Sequence, residues 1–271
     1  MKKRLKKLFF ILLLLLCLRG LFHFFSRSLK KPQYITVSQG ISLGKVENIQ
    51  SYVDFLKKEG KEDPKAQYLY ENKNKLPDKL LKLAAREKEA RSFVVGYVTD
   101  DPAQAKRSKD FSIESPLIYY SQWDRDWGYR PFNGGIMATH GCGPTSIAMA
   151  LKGLGVKVTP WDMAHYIEEK GYISDGYTSW EVFDGIQEDY PVQVESISID
   201  NIPDYLNRGA YVVLSVRKGN FTDTSHMLVV AGMDEEGRLI INDPNSVRRS
   251  KLHWRLDRIS HEIKNAWAFY N

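Results

Sequence analysis

A cysteine followed directly by a helix-start signal is the first candidate for chemistry in this chain. Cys142 lies between two glycines, and Pro144 follows at a position that suits the first turn of a helix. The apolar run at residues 147–151 predicts a buried helix, so the thiol would lie at the positive end of a helix dipole. That position favours the thiolate, and the glycines would leave room for a substrate carbonyl. These features favour a nucleophile over a structural cysteine.

His226 is the best candidate among the six histidines for the base that a cysteine nucleophile requires. It opens a strand predicted over residues 227–233, and a turn at residues 234–237 returns the chain as a second strand toward Asp243. Antiparallel pairing brings the end of that second strand back beside His226, so its carboxylate could orient the imidazole. The amide of Asn242 could serve instead, and strand alternation lets only one of the two side chains reach the ring.

An acyl transfer also needs donors for the oxyanion that develops in its transition state. The backbone N–H of Cys142 is one candidate, and the side-chain amide of Gln122 is the best placed second donor. Gln122 follows a strand-like run at residues 117–120, and the alternative is an ordinary surface glutamine. Asp124 and Asp126 could bind a cation, but two acids in a loop are usually solvated, so no metal and no cofactor is predicted.

The basic charge of the chain is concentrated at its N-terminus. The 271 residues carry a formal net charge of +6, and residues 1–31 contain nine Lys or Arg and no acid, which leaves −3 for the rest. No nucleic-acid partner is therefore predicted. Cys17 lies in the apolar N-terminal run, far from Cys142, so the folded part cannot form a disulfide and depends on its core.

The first 25 residues have the pattern of an export signal. A basic segment at residues 2–7 precedes an apolar run at residues 8–18, and the positive-inside rule places the N-terminus in the cytoplasm. No small-residue cleavage site follows, so we expect residues 1–25 to remain as a single-pass membrane anchor. Cleavage and secretion are the alternative. Either outcome places the rest of the chain outside the cytoplasm.

The remainder of the chain divides into a linker, a helical part and a mixed part. Residues 26–44 lack a sustained period and indicate a linker, while residues 45–110 show the helical spacing of a lead-in region. Residues 111–271 place helices before alternating strands. This order predicts an α+β fold in which the nucleophile helix packs on an antiparallel sheet.

Two smaller groups of side chains are predicted to be structural. Tyr177 and Trp180 could line a substrate groove, but an aromatic core is the favoured interpretation. The basic residues among positions 248–251 are expected to form a solvated face.

Four segments carry the candidate residues in a recognisable order. They are YYSQWD at residues 119–124, GCGPTS at residues 141–146, SHMLVVAG at residues 225–232 and NDPNS at residues 242–246. Together they resemble the C39-like, papain-type cysteine peptidases of bacteria over about residues 115–271, and residues 77–97 are similar to the helical lead-in of many such proteins. The resemblance implies a papain-like fold and four roles: nucleophile for Cys142, base for His226, orienting acid for Asp243 and oxyanion donor for Gln122.

The spacing of 20 residues between Gln122 and Cys142 departs from one branch of that family. In transporter-fused members that cut double-glycine leaders, the glutamine lies close before the cysteine. Leader removal coupled to export is therefore not implied for this chain.

The expected function is that of an extracytoplasmic, membrane-tethered cysteine peptidase, which hydrolyses peptide bonds through a Cys-His-Asp triad and an acyl-enzyme. Its expected partners are a peptide or protein substrate and the membrane. One alternative is a cell-wall peptide hydrolase or amidase with the same triad, because the choice of bond depends on the shape of the cleft. The other alternative is a catalytically silent binding module on the cell surface.

Overall fold

The computed structural model describes residues 48–271, all of which fall in one compact unit. The predicted anchor at residues 1–25 and the linker at residues 26–44 lie outside the described residues. Within residues 48–271, no helix combines the length and the apolar character that crossing a membrane requires. The division between lead-in and peptidase domain at residues 110 and 111 stays a prediction.

Eleven α-helices and ten strands are distributed over residues 48–271. The helices are α1 (Ile49–Glu59), α2 (Pro64–Glu71), α3 (Asp78–Arg86), α4 (Arg91–Thr99), α5 (Met137–His140), α6 (Cys142–Gly153), α7 (Pro160–Glu169), α8 (Glu181–Asp189), α9 (Ile202–Asn207), α10 (Val247–Ser250) and α11 (Leu256–Ile259). The strands are β1 (Pro131–Phe132), β2 (Gly135–Ile136), β3 (Ile173–Ser174), β4 (Tyr177–Thr178), β5 (Gln193–Ile197), β6 (Tyr211–Arg217), β7 (Ser225–Met233), β8 (Leu239–Asn242), β9 (His253–Trp254) and β10 (Ile263–Tyr270).

The lead-in helices begin at local capping signals. Asn48 caps α1 through a reciprocal pair of hydrogen bonds with Ser51. Asp63 caps α2, and Pro64 occupies its first turn, where the missing N–H removes no helical hydrogen bond. These caps fix the helices that pack beside α3, which reaches the functional cleft described below.

Strands β5 to β10 form one antiparallel sheet in the order β5-β10-β6-β7-β8-β9. β7 lies inside this sheet and pairs with β6 on one side and β8 on the other. Helix α6 packs against β6 and β7. The predicted α+β class, with the Cys142 helix on an antiparallel sheet, agrees with this arrangement.

Both faces of the sheet are buried, and successive residues of each strand point to opposite faces. Val213 and Val229 face the same core as Ile147 of α6. Val212 and Leu214 belong to a second core on the other face. Burial on both faces fixes the register of β7, because a shift by one residue would exchange the two sets of side chains.

Candidate active site

Cys142 is the first residue of α6, as the sequence predicts, and its side chain is half-buried. The helix has 12 residues, and the positive end of its dipole lies at the thiol. Because α6 packs on β7, the thiol is held beside the strand that carries His226.

The two glycines around Cys142 serve close packing. A Cβ atom on Gly143 would lie 2.3 Å from Thr178 Oγ1, and one on Gly141 would lie 2.6 Å from the carbonyl oxygen of Met137. The idea that these glycines also leave room for a substrate carbonyl stays a prediction. They let the start of α6 approach β4 and α5 closely.

His226 is the second residue of β7 and is buried. Its Nε2 lies 2.8 Å from Asp243 Oδ1, and its imidazole is close enough to the Cys142 thiol to lower the pKa of that thiol. Because Nε2 faces the carboxylate, Nδ1 is the nitrogen left for the sulfur. The structure thus brings the three residues together in the order thiol, imidazole and carboxylate.

The surroundings of this pair favour its charged form. Burial alone lowers the pKa of His226, but the charge and hydrogen bond of Asp243, together with Cys142, raise it to about 9. Burial raises the pKa of the Cys142 thiol, but the hydrogen bond and charge of His226, with two backbone N–H groups, bring it below its ordinary value. The two groups titrate as a coupled pair, and each shift favours the charged form, thiolate for Cys142 and imidazolium for His226.

Asp243 is fully buried and uses both carboxylate oxygens. Oδ1 accepts from His226 and from the backbone N–H of Asn245 at 2.8 Å, and Oδ2 accepts from Arg249 Nε at 2.6 Å. Burial raises the pKa of Asp243, but Arg249 and then His226 outweigh it and hold the pKa well below its usual range. The carboxylate therefore remains charged and keeps the imidazole in place.

Asn242, the alternative orienting residue, binds elsewhere. Its Nδ2 donates to the carbonyl oxygens of Leu117 at 3.2 Å and Ile118 at 3.3 Å. The strand-like run that contains them, residues 117–120, forms no strand in the described chain, so that prediction is wrong. Strand alternation separates Asn242 from Asp243, and Asp243 is the one that contacts the ring.

A buried carboxylate from the lead-in completes the network behind Asp243. Glu87 directly follows α3; its Oε2 accepts from Ser246 Oγ at 2.6 Å, and its Oε1 accepts from Arg249 Nη1 at 3.1 Å. The side chains of Arg249, Glu87 and Asp243 are at most 3% exposed. Burial raises the pKa of Glu87, and Arg249 and Ser246 oppose that effect only in part. The predicted solvated face at residues 248–251 is therefore wrong for Arg249.

Gln122 is buried, and it lines the same cleft as Cys142. Its backbone N–H donates to the carbonyl of Pro244 at 2.8 Å, which ties it to the loop that carries Asp243. Its side-chain Nε2 donates to the carbonyl of Ala138 at 2.7 Å. A primary amide has two N–H groups, so one remains free to donate to a group in the cleft.

The cleft has a volume of about 1170 Å³ and contains Cys142, His226 and Gln122. Tyr177 and Trp180 also line it, with 57% and 47% of their surfaces exposed. The favoured interpretation of these two rings as core is therefore wrong; both line the cleft, and their contact with a substrate stays a prediction. Further residues from the lead-in helices line the cleft, and no local sequence pattern marked them.

Asp124 is buried rather than solvated. Its carboxylate accepts hydrogen bonds from the N–H and the hydroxyl of Ser108 and from the N–H of Asp126. These bonds give the side chain a structural role at the start of the Gln122 segment. Within the part of the chain that the structure describes, no group of three His, Cys, Asp or Glu side chains could hold a metal ion.

Comparison with known proteins gives one family and a set of solved structures. Residues 115–271, more than half of the chain, match the model of the Peptidase_C39 like family. Eleven chains of solved structures match. One is the crystal structure of a candidate C39-like peptidase from Bacillus anthracis, with 17% identity over 49% of this chain and 89% of that chain and a TM-score of 0.33. No curated protein matches the chain.

Proposed function

The chain belongs to the Peptidase C39-like family, and on that premise we propose that it is a cysteine peptidase whose site has a papain-like arrangement. In this proposal Cys142 is the nucleophile, His226 carries the proton, and Asp243 holds the imidazole. The observation that supports it most is the continuous contact from the Cys142 thiol through His226 to Asp243.

The proposed reaction proceeds through a thioester. The Cys142 thiolate attacks the carbonyl carbon of a peptide bond, and the oxyanion accepts hydrogen bonds from the backbone N–H of Cys142 and from Gln122. The imidazolium of His226 gives its proton to the leaving amine as the C–N bond breaks. The neutral imidazole then takes a proton from water, the resulting hydroxide attacks the thioester, and the thiolate leaves. This step releases the carboxylic acid product and restores the ion pair of Cys142 thiolate and His226 imidazolium.

We also propose that residues 1–25 tether the enzyme to the membrane and that residues 48–271 work outside the cytoplasm. The basic segment at residues 2–7, followed by the apolar run at residues 8–18, supports this proposal. Secretion after cleavage of the same segment remains the alternative.

A mixture of quenched fluorescent peptides that cannot enter cells tests the activity and the location together. Intact cells that carry the full chain are expected to cleave the peptides, and cells that carry Cys142→Ala are not. After cell disruption the activity should sediment with the membranes if the anchor is retained. Acid quenching followed by mass spectrometry should find the acyl group on Cys142, because the thioester is the predicted intermediate.

Three other outcomes separate the alternatives. If cleavage requires lysis of the cells, the proposed location outside the cytoplasm is wrong, but the proposed peptidase activity still holds. Release of peptidoglycan fragments, lost in Cys142→Ala, would identify a cell-wall hydrolase. Failure to cleave any substrate, with Cys142 alkylated no faster than a free thiol, would favour a silent binding module.

Replacement of Gln122 by alanine is expected to lower kcat by about 10²–10³-fold, because an oxyanion donor acts mainly in the transition state. Gln122→Glu is the matched variant: it preserves the size of the side chain, but a carboxylate has no N–H to donate. Steady-state kinetics on a cleaved peptide measure both variants. A loss confined to KM, or full activity of Gln122→Glu, would assign Gln122 to substrate binding or to structure instead.

A further inference from the structure

The cleft contains a lysine that no carboxylate of residues 48–271 neutralises. Lys79 lies in α3 and lines the cleft together with Cys142. Its Nζ is 2.5 Å from His140 Nε2, and it forms no ion pair within the described chain. Lys82, three residues later, differs in this respect because it is paired with Asp223.

Lys79 is an exposed residue that lines the cleft, and its ammonium group is shielded from water only in part. Burial lowers the pKa of Lys79, the negative charge of Cys142 raises it, and the charge of Lys82 lowers it, with a net decrease. The interaction with Cys142 indicates that the ammonium lies within electrostatic range of the reacting sulfur. An anion that enters the cleft would meet an exposed ammonium that no carboxylate of residues 48–271 neutralises.

His140 accepts a hydrogen bond from Lys79 and leaves the remaining ammonium protons free. Thr139 Oγ1 donates to the carbonyl of Ile136 at 3.1 Å and lies 2.8 Å from His140 Nδ1. The hydroxyl proton is thus used, so Nδ1 carries a proton and Nε2 faces Lys79 as an acceptor. Burial and the charge of Lys79 lower the pKa of His140, which favours this neutral form. An ammonium has three N–H groups, and two remain for a ligand.

We propose that Lys79 binds a substrate carboxylate close to the scissile bond and is therefore the residue that determines specificity for acidic peptides. This inference rests on the proposed peptidase function. The carboxylate is supplied either by an Asp or Glu side chain or by the free C-terminus of the substrate. A lysine recognises both as a point charge, so the chemistry is shared.

The segment at residues 174–181 restricts where that carboxylate can bind. Asp175 and Glu181 line the cleft on this segment and would repel an anion. The exposed ring of Tyr177 suits an apolar side chain, whereas the ring of Trp180 has Lys264 Nζ above it, 5.5 Å from its centroid. A peptide with an acidic group at Lys79 and an apolar residue against Tyr177 matches both surfaces.

Matched peptides test the assignment and separate its two sources. One pair, amidated at the C-terminus, carries Glu or Gln within two residues of the bond that the enzyme cleaves. Both members of the other pair carry Gln at that position and end shortly after the cleaved bond. One has a free C-terminal carboxylate, and the other has a C-terminal amide. Wild-type protein is expected to prefer the acidic member of one pair by about tenfold or more in kcat/KM, as is typical of a charged hydrogen bond.

Substitutions at Lys79 should change this preference in a graded way. Lys79→Met should reduce the ratio to about one, Lys79→Arg should retain a preference, and Lys79→Glu should reverse it toward peptides that carry Lys in place of Glu. Lys75→Met is the matched control, because Lys75 belongs to the same lead-in, is exposed and does not line the cleft. It should keep the wild-type preference.

The outcomes distinguish failure of the inference from failure of the proposed function. Equal kcat/KM values for both members of each pair would overturn the role of Lys79 and leave the peptidase intact. If no peptide is cleaved, the proposed peptidase function is wrong. The affinity of the Cys142→Ala protein for the same peptides then tests whether Lys79 binds a carboxylate. Tighter binding of an acidic member that Lys79→Met abolishes would support the site, and equal affinities would overturn it.

Discussion

Replacement of His226 by glutamine is expected to turn Cys142 into an ordinary thiol and to lower kcat/KM by about 10³-fold or more. Glutamine can form hydrogen bonds but cannot carry a positive charge, so the interaction that lowers the thiol pKa is lost. The loss should be largest at about pH 6, where an ordinary thiol with a pKa of about 8.5 is almost fully protonated. The rate of alkylation of Cys142 by iodoacetamide, followed by mass spectrometry, measures the thiolate directly.

The pH profile of the wild-type protein follows from the same two pKa shifts. The pKa of Cys142 is lowered, so activity should rise at a lower pH than an ordinary thiol would require. The pKa of His226 is raised to about 9, so activity should fall as the pH passes about 9 and the imidazolium loses the proton that the leaving amine needs. His226→Gln should lose both limbs together, because they belong to one coupled pair.

A second histidine provides the control for this prediction. His165 lies on α7, is exposed, and contacts the ring of Trp161. His165→Gln should leave both the alkylation rate and the pH profile unchanged. If His226→Gln alkylates as fast as wild-type protein at about pH 6, the thiolate depends on another group, and the proposed role of His226 is wrong.

The candidate site could be predicted to the extent that local signals and strand pairing determine it. A helix begins at Cys142, a strand begins beside His226, and a tight turn returns the chain to Asp243. The pairing of Val229 with Asn242 shows why this works, since an antiparallel hairpin brings its two open ends together. Strand alternation then lets only one of the neighbouring residues Asn242 and Asp243 face the imidazole.

The remainder of the site depends on contacts between segments that are distant in the sequence. Glu87 meets Ser246 and Arg249 across 159 and 162 residues, and no periodicity in either segment predicts that contact. Lys79 also lines the cleft only because the lead-in helices pack beside the residues around Cys142, a contact between segments that are distant in the sequence. An aromatic residue type favoured a core position for Trp180, but this residue follows β4 and is 47% exposed in the cleft, a placement that depends on the tertiary structure.

The glycines around Cys142 show a different limit of sequence reasoning. The sequence interpretation assigned them to the approach of a substrate carbonyl, which stays a prediction, and it did not anticipate their role in packing. Small size at Gly143 is required by the Thr178 side chain from another segment, and the sequence near the cysteine contains no information about that neighbour. Residue type indicated a close approach, and the identity of the approaching group required the tertiary structure.

Replacement of Arg249 by leucine is expected to destabilise the protein by about 3–5 kcal/mol, the usual cost of removing one partner from a buried ion pair. Arg249 donates to Asp243 Oδ2 at 2.6 Å and to Glu87 Oε1 at 3.1 Å, so its loss leaves the buried carboxylate of Glu87 without an ion-pair partner and Asp243 with His226 alone. Urea denaturation of wild-type and variant protein measures the difference in the free energy of unfolding.

The dependence on pH separates this explanation from a simple loss of packing. Burial already raises the pKa of Glu87, and without Arg249 the carboxylates of Glu87 and Asp243 would take up protons more readily. The destabilisation of Arg249→Leu should therefore be greatest at neutral pH, where both carboxylates would have to remain charged, and smaller in mild acid. A defect in packing alone would not change with pH in this way.

A double variant and a surface control complete the test. Glu87→Gln added to Arg249→Leu should recover part of the lost stability, because the unpaired charge of Glu87 is removed. Arg255→Leu also breaks a bidentate pair, with Asp257, but both side chains are more than half exposed, at 64% and 57%, so little change is expected. Equal losses for Arg249→Leu and Arg255→Leu would contradict the buried network. A large loss at Arg249 alone would mean that the lead-in, through Glu87, supports the carboxylate that orients His226.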